Sequence, residues 1–397
     1  MHSTKQESER LLSPRERAER MRATFRAKFG GEPELWARAP GRVDLMGSHT
    51  DYNLGFVLTL PISRDTWIAA RATGGNEVRV HSMNFDADER FTLPVTSHSE
   101  QWGNYVRGIA ATLPLEGFPV GGCELLIQST VPVESGLSSS AALECALATV
   151  FEGLWNWRLS PERKAVLCLK AECDFVGVNC GILDQYSSCL GRQGCALLLD
   201  CRDLTTRTVR IADGIQVVIC NTMSRRRLVS GEYAQRRADC EQGAAALGVA
   251  ALRELTLEAL AARAGELPEQ AERRCRFIIA ESARAAELAI ALEAGDRAAV
   301  SQLCAESFAG ARDLYEICSD SMQSMMEAML HAPGCIGARQ AGAGFGGCMV
   351  ALVESSSVDS FRLSVRESYG HSSGLAPEVY AVDAAEGAQL MEWSMLA

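Results

Sequence analysis

The spacing of apolar and polar positions changes several times along the chain and predicts a mixture of helices and strands. The first thirty residues are densely charged and predict an exposed helix. Residues 35–72 consist of short apolar runs broken by Gly, Pro and Asn, a pattern typical of strands joined by tight turns. Strand patterns also occur in six later segments: 78–81, 123–129, 195–200, 215–221, 348–353 and 378–382.

Helical spacing dominates the regions between these strands. The segment that begins at Ser138 continues as SSAALECALATVFEGLW, with apolar residues recurring at helical intervals. Residues 164–176 and the Ala-, Glu- and Arg-rich stretch 233–330 also predict helices. The elements follow one another without a strict βαβ rhythm, which favours an α+β fold over a doubly wound sheet. We expect a domain boundary between residues 203 and 215.

Composition narrows the range of partners. With 39 basic and 50 acidic side chains among 397 residues, the net charge is −11. Such a surface repels phosphate backbones and anionic lipid, so neither nucleic acid nor a membrane is expected as a partner. The amino-terminal stretch has no apolar core typical of a secretory signal, and no segment has the apolar length of a membrane span, which predicts a cytosolic protein. The 15 cysteines include no CxxC spacing, so we interpret them as small buried side chains.

A serine-rich stretch, PVESGLSSSAA, follows a predicted strand and opens a predicted helix. Helix amino termini present unpaired N–H groups and a positive dipole end, which suit a phosphate chain. Serine hydroxyls at that position can also bind phosphate oxygens or Mg²⁺. The alternative is a simple cap, in which one serine bonds the helix start and the others are incidental. The candidate residues are Gly136, Ser138, Ser139 and Ser140.

A glycine cluster at residues 342–347 contains a formal GxGxxG match. The dinucleotide-binding fingerprint requires a helix after the glycines, whereas CMVALV follows here and predicts a strand. We therefore reject that interpretation and expect a close backbone approach to a ligand or to neighbouring main chain. The chain contains neither a P-loop nor the signature motifs of protein kinases.

Two further stretches carry polar groups that could act on a ligand. Glu172 and Asp184 lie twelve residues apart. Phosphoryl transfer can use such a pair, because one acid can bind a metal ion while the other lies beside the hydroxyl that accepts the phosphate. Residues 41–53, GRVDLMGSHTDYN, concentrate hydrogen-bonding groups suited to a polyhydroxylated ligand. The alternatives are two solvated surface acids for the first stretch and an Asn-, Asp- and Gly-containing turn for the second.

These stretches, taken in order, resemble the galactokinases of the GHMP kinase superfamily. The resemblance covers nearly the whole chain after residue 35 and also includes WGNYVRG at 102–108, AECDFVGVNCGILDQ at 171–185, EYAQRRADCE at 232–241 and GARQAGAGFGGC at 337–348. It implies an ATP- and Mg²⁺-dependent sugar 1-kinase that makes galactose 1-phosphate. It also implies an amino-terminal domain like that of ribosomal protein S5, a ferredoxin-like carboxy-terminal domain, and a site in the cleft between them. On this basis we divide the chain into residues 1–210 and 211–397, and expect a monomer or a weak homo-oligomer.

The resemblance also assigns roles by position. Asp184 would be the catalytic base, or the carboxylate that orients the anomeric hydroxyl, with Arg42 beside it. Ser140 and Glu172 would hold Mg²⁺. The sugar would contact residues around two loops and one helix: Ser48, His49, Asp51, Gly181 and Tyr233. The nucleotide would contact an aromatic side chain and the two glycine-containing loops: Trp102, Gly136, Ser138, Ser139, Ser140 and Gly344.

Three departures from the family pattern concern substrate choice. Ser48 stands where the family has Glu, which in galactokinases accepts a hydrogen bond from the C6 hydroxyl of the sugar. Asp44 replaces Asn, and Glu134 with Ser135 replaces two small residues. The alternatives to galactose are therefore sugars altered at C6, namely galacturonate and L-arabinose. A non-catalytic sugar and ATP sensor is a third possibility, which the intact serine loop argues against.

Overall fold

The computed structural model describes residues 12–99, 102–224 and 230–392. Within these ranges two sheets are surrounded by helices, which confirms the predicted α+β class. The helices are α1 (Pro14–Phe29), α2 (Gly103–Leu115), α3 (Ser139–Trp155), α4 (Pro161–Lys170), α5 (Leu183–Leu190), α6 (Ser230–Ala246), α7 (Leu257–Ala261), α8 (Glu269–Ala294), α9 (Arg297–Asp313), α10 (Asp320–Leu330) and α11 (Val358–Ser373). The strands are β1 (Leu35–Met46), β2 (Phe56–Ala72), β3 (Glu77–Ser82), β4 (Ala87–Thr92), β5 (Cys123–Ser129), β6 (Cys195–Asp200), β7 (Thr206–Arg210), β8 (Ile215–Asn221), β9 (Cys335–Gln340), β10 (Cys348–Glu354), β11 (Glu378–Val382) and β12 (Gln389–Met391).

The long strand β2 organises the first sheet of eight strands. One edge of β2 pairs antiparallel with β1. Its other edge pairs with β6 near its start and with β5 near its end, so the sheet divides into two branches. The β5 branch continues through β3 to β4, and the β6 branch continues to β7. The chain after β5 then returns to β1, where the backbone N–H of Arg42 donates to the carbonyl oxygen of Leu137 at 3.1 Å.

Helix α3 packs across the centre of this sheet because its surface is small and apolar. Ala141, Ala142, Cys145 and Ala148 are fully buried, and most of the remaining positions of the helix are buried as well. A helix that is apolar on nearly all sides is expected in a core rather than at the surface. The first turn of α3, which contains the predicted phosphate-binding serines, is thereby fixed against β1 and β2.

The second sheet has the strand order β11-β8-β10-β9, with every neighbouring pair antiparallel. The order of elements is β8, a helical region, β9, β10, α11 and β11, which is the β-α-β-β-α-β arrangement of ferredoxin-like domains. The sheets change between β7 and β8, close to the expected boundary, but β12 returns to pair with β1 in the first sheet. The division at residue 210 stays a prediction.

Two of the predicted helices differ from the sequence expectation. Helix α1 is not wholly exposed, because Met21 and Phe25 are fully buried against the first sheet; the many charges of the segment conceal this apolar stripe. The predicted helix over 164–176 continues from α4 as a π-helix at Ala171–Val176. Residues 1–11 of the predicted first helix lie outside the described residues.

The cysteines are free and mostly buried, as expected. No helix in the described ranges is long and apolar enough to cross a bilayer.

Candidate active site

A cavity of about 1010 Å³ lies where the first sheet, the amino terminus of α6 and the loop between β9 and β10 meet. The predicted residues that line it come from six separate parts of the sequence: Arg42, His49, Asp51, Trp102, Gly136, Ser138, Ser139, Ser140, Glu172, Gly181, Asp184 and Tyr233. Two predicted residues, Ser48 and Gly344, do not line it. The structure thus brings twelve of the fourteen predicted residues to one cleft.

The backbone of the serine loop is shaped for an anion. Glu134, Gly136 and Ser138 have φ angles of 57°, 85° and 59°, so alternate residues adopt the left-handed conformation. Alternation of this kind turns successive N–H groups toward one concave surface, which binds anions in many phosphate sites. Ser138 occupies the N-cap position of α3, but its side chain makes no capping hydrogen bond. The simple capping interpretation therefore does not describe Ser138.

The hydroxyl of Ser138 instead donates to Asp184. The distance from Ser138 Oγ to Asp184 Oδ2 is 2.5 Å. The other carboxylate oxygen of Asp184, Oδ1, accepts from Arg42 Nε at 2.9 Å and from Arg42 Nη2 at 2.6 Å. Arg42 Nη1 donates to the carbonyl oxygen of Gly136 at 2.6 Å, so a single guanidinium connects the serine loop to the start of α5. The predicted catalytic pair thus lies at the mouth of α3.

Arg42 also contacts a second carboxylate that the sequence analysis did not place in the site. Asp44 Oδ1 lies 2.9 Å from Arg42 Nε, and both side chains are buried. Burial lowers the pKa of Arg42, but Asp184 and Asp44 outweigh that effect and raise it overall. Burial also raises the pKa of Asp44, and Arg42 opposes this only in part. Arg42 therefore stays charged between two acids.

The predicted sugar contacts cluster beyond Asp184. His49 Nδ1 lies 2.8 Å from Tyr52 Oη, and the rings of His49 and Tyr233 are 5.3 Å apart. A side chain at Gly181 would overlap the carboxylate of Asp51, so only glycine allows these two residues to lie so close together. Burial, opposed by a hydrogen bond from the backbone of Tyr52, raises the pKa of Asp51 to about 6. The result is a partly buried pocket lined by hydrogen-bonding side chains.

Glu172 and Ser140 offer a suitable pair of ligands for a divalent cation. Ser140 lies close enough to Glu172 to lower the pKa of its carboxyl, and Gln185 Nε2 donates to Glu172 Oε2 at 2.6 Å. Burial and the charge of Asp184 raise the pKa of Glu172. No group of three or more His, Cys, Asp or Glu side chains that could hold a metal occurs in the described part of the chain. Two oxygen ligands from the protein fit Mg²⁺, which usually takes its other ligands from phosphate and water.

A pair of aromatic side chains also lines the cavity. Trp102 and Phe85 both line it, with ring centroids 6.1 Å apart and planes inclined by 22°. Half of the Phe85 surface is exposed, which suits a side chain that covers a flat ligand. Sequence reasoning identified Trp102 but missed Phe85, which lies in a turn and belongs to no quoted motif. It also missed Gln185, although this residue follows Asp184 directly.

Ser48 and Gly344 have structural partners of their own. Ser48 is 1% exposed, and its Oγ accepts a hydrogen bond from Arg339 Nη2 at 2.9 Å. Gly344 has a φ of 80°, and a Cβ atom there would lie 2.6 Å from the carbonyl oxygen of Ile317. Its close approach is thus to neighbouring main chain, one of the two expectations for the glycine cluster, while Gly342 and Ala343 line the cavity.

Comparison with known proteins identifies the family. The galactokinase galactose-binding signature matches residues 23–72, the GHMP kinase amino-terminal domain matches 104–192 and the GHMP kinase carboxy-terminal domain matches 288–371. Galactokinases of Roseiflexus sp. and Chloroflexus aggregans are 41% and 43% identical over 92% and 89% of this chain, and over 95% and 92% of their own lengths.

Solved structures agree with the sequence relatives. Galactokinase of Lactococcus lactis in complex with galactose has a TM-score of 0.90 at 32% identity, covering 94% of this chain and 99% of its own. Mevalonate kinase of Methanococcus jannaschii has a TM-score of 0.64 at 15% identity, covering 90% of this chain and 99% of its own, and shows the fold alone. The expected two-domain GHMP kinase fold is confirmed. The chain belongs to the galactokinase family.

Proposed function

We propose that the protein transfers the γ-phosphate of ATP to the anomeric hydroxyl of D-galactose and releases galactose 1-phosphate and ADP. The observation that carries the proposal is the position of Asp184 between Arg42 and Ser138 at the mouth of α3. The names of the relatives and the galactose bound to the Lactococcus lactis enzyme support the choice of sugar. The use of ATP favours a cytoplasmic location.

In this proposal the protein does little covalent chemistry and mainly positions and stabilises charge. The triphosphate lies on the serine loop and the first N–H groups of α3, and the aromatic pair of Trp102 and Phe85 holds the base. Mg²⁺, held by Ser140 and Glu172, would neutralise phosphate charge. Asp184 Oδ2 accepts the proton of the anomeric hydroxyl as the sugar oxygen bonds the γ-phosphorus and the bond to ADP breaks. Arg42 keeps Asp184 ionised before transfer and stabilises charge during it.

The charges of the cleft favour a neutral sugar. Asp44, Asp51 and Asp184 all lie close enough to Arg42 to affect its pKa. Among the described residues, Arg42 is the only Lys or Arg side chain that lines the cavity. The carboxylate of galacturonate would lie among these acidic side chains with no further Lys or Arg to pair with it. Galacturonate is therefore the less favoured alternative. L-Arabinose is neutral and lacks C6, so it stays a candidate for weaker turnover.

A substrate panel tests the proposal. Purified protein with ATP and Mg²⁺ is assayed for ADP release with galactose, L-arabinose, galacturonate and glucose, and phosphorus NMR locates the phosphate on the product. We expect the highest kcat/KM with galactose and phosphate on C1 alone. Phosphate on another carbon, or a higher kcat/KM with galacturonate, would contradict the proposal. Binding of galactose and ATP without any ADP release would support the sensor instead.

A further inference from the structure

A buried ion pair lies behind the sugar end of the cleft. Glu281 of α8 and Arg339 of β9 are 0% and 1% exposed, with 2.8 Å between Glu281 Oε1 and Arg339 Nη2. Ser307 of α9 joins them: its hydroxyl donates to Glu281 Oε1 at 3.0 Å and accepts from Arg339 Nε at 3.0 Å. None of these three residues lines the cavity or belongs to the proposed chemistry.

The pair holds the loop that carries the predicted sugar contacts. We call residues 44–51 the sugar loop. Arg339 donates from Nη1 to the carbonyl oxygen of Asp44 at 3.3 Å and from Nη2 to Ser48 Oγ at 2.9 Å. The backbone N–H of Gly47 donates to Glu281 Oε1 at 3.1 Å. Three contacts along five residues therefore connect the sugar loop to elements that lie far along the chain.

The geometry makes this a stiff support. A buried carboxylate is costly unless it is paired, and here burial raises the pKa of Glu281 while Arg339, Arg284 and the hydrogen bonds from Gly47 N–H and Ser307 together lower it overall. The sugar loop itself requires support, because His49 has a φ of 65°, a left-handed backbone conformation that costs free energy in residues other than glycine. His49 and Asp51 follow the anchored residues directly and line the cavity.

We propose that Arg339, held by Glu281, is a positioning residue for the sugar loop, and that Ser48 contacts Arg339 instead of the sugar. The inference rests on the proposed sugar kinase activity and changes the origin of selectivity at C6. Ser48 is almost fully buried and does not line the cavity, so its hydroxyl can affect sugar binding only by holding the sugar loop in place. Any effect of Ser48 should therefore be the same for sugars with and without C6.

The test compares Ser48→Ala with the matched variant Ser307→Ala. Each variant removes one serine hydroxyl that accepts from Arg339, but only Ser48 belongs to the sugar loop. Large changes at Arg339 or Glu281 would break a buried ion pair and risk unfolding, so the single hydroxyls are the safer probes. For each variant kcat and KM are measured with galactose and L-arabinose, using the inhibition constant against galactose where L-arabinose turns over too slowly, together with Tm.

We expect Ser48→Ala to raise the sugar KM about three- to tenfold, by the same factor for galactose and L-arabinose, because one hydrogen bond to a charged group is lost. The kcat and the ATP KM should change less than twofold. Ser307→Ala should lower Tm and leave both sugar constants within twofold. A KM change for galactose alone would show a direct contact with C6, and equal effects of the two variants would show a purely structural role; either overturns the inference. Absence of galactose phosphorylation by the unaltered protein would refute the proposed function separately.

Discussion

The two ends of the cleft are built in different ways. At the end where we propose that the nucleotide binds, the expected phosphate-binding surface comes from one short stretch, the serine loop and the first turn of α3, whose donors are mainly backbone N–H groups and hydroxyls. At the sugar end the surface comes from the sugar loop, the start of α5, helix α6 and the β9–β10 loop. One end is thus a local structure, and the other exists only when distant elements pack together.

The difference extends to charge. The sugar end contains Asp44, Asp51 and Asp184 around Arg42, and a second ion pair, Glu281 with Arg339, supports the sugar loop from behind. The nucleotide end relies on helix geometry, with Glu134 as an added negative charge at its rim. We infer that substitutions at the sugar end alter chemistry and stability together, whereas those at the nucleotide end alter mainly nucleotide and metal affinity.

Asp184 connects the two ends, so its loss should have the largest effect. We expect Asp184→Asn to lower kcat by about a thousandfold, because the amide cannot accept the proton and no longer balances Arg42. Galactose affinity, measured by calorimetry, serves as the control and should change little, whereas Tm should fall because buried Arg42 loses one of its charge partners. A variant that keeps more than a tenth of the original kcat would show that Asp184 is not the group that receives the proton.

The next largest effect concerns the metal. Ser140→Ala removes one proposed Mg²⁺ ligand next to Glu172, and should weaken metal affinity about ten- to a hundredfold. Binding of Mn²⁺ to the protein with a non-hydrolysable ATP analogue, followed by electron paramagnetic resonance, measures this without turnover. Ser139→Ala is the matched control and should alter Mn²⁺ affinity less than threefold. Similar losses in both variants would remove Ser140 from the metal site.

A substitution at Asp51 tests whether the charged carboxylate at the sugar end lowers the stability of the folded protein. The pKa of its carboxyl is about 6 in the folded protein and near 3.8 when unfolded, so the folded state loses stability as pH rises from 4 to 6. Asp51→Asn should therefore stabilise the protein by about 1–2 kcal/mol at pH 7.5, and by almost nothing at pH 4, while weakening sugar binding. Denaturant unfolding at both pH values measures this, and equal effects at the two values would contradict it.

The smallest expected effect lies at the nucleotide end. Glu134 adopts a left-handed φ of 57°, and its carboxylate lines the cavity near the expected phosphates. Glu134→Gly should lower the ATP KM about two- to threefold, because it removes both the strain and the repulsion. Glu134→Gln separates the two causes, since it removes the charge alone. An increase in ATP KM in either variant would instead indicate that the carboxylate assists binding.

The same contrast explains what could be predicted from the sequence. The apolar spacing of α3 and the glycine and serines before it are local signals, and they predicted the start of this helix, whereas its binding of phosphate stays a prediction. Helix α5 was not predicted as a helix because it has only eight residues, too few turns for its apolar spacing to stand out in the sequence. Neither Glu281 nor Arg339 was singled out from the sequence, because Glu281 is one acid among several in a charged helix and the motif that contains Arg339 was interpreted through its glycines. Their partnership depends on packing between elements, as does the burial of Ser48.

The central claim is that Asp184 faces both the sugar and the phosphate chain at the mouth of α3. A crystal structure with galactose and a non-hydrolysable ATP analogue measures this most directly. We predict the anomeric oxygen of galactose within about 3.2 Å of an Asp184 carboxylate oxygen, with the γ-phosphate next to it on the serine loop. An anomeric oxygen turned away from Asp184, or a triphosphate bound elsewhere than at the start of α3, would contradict the account.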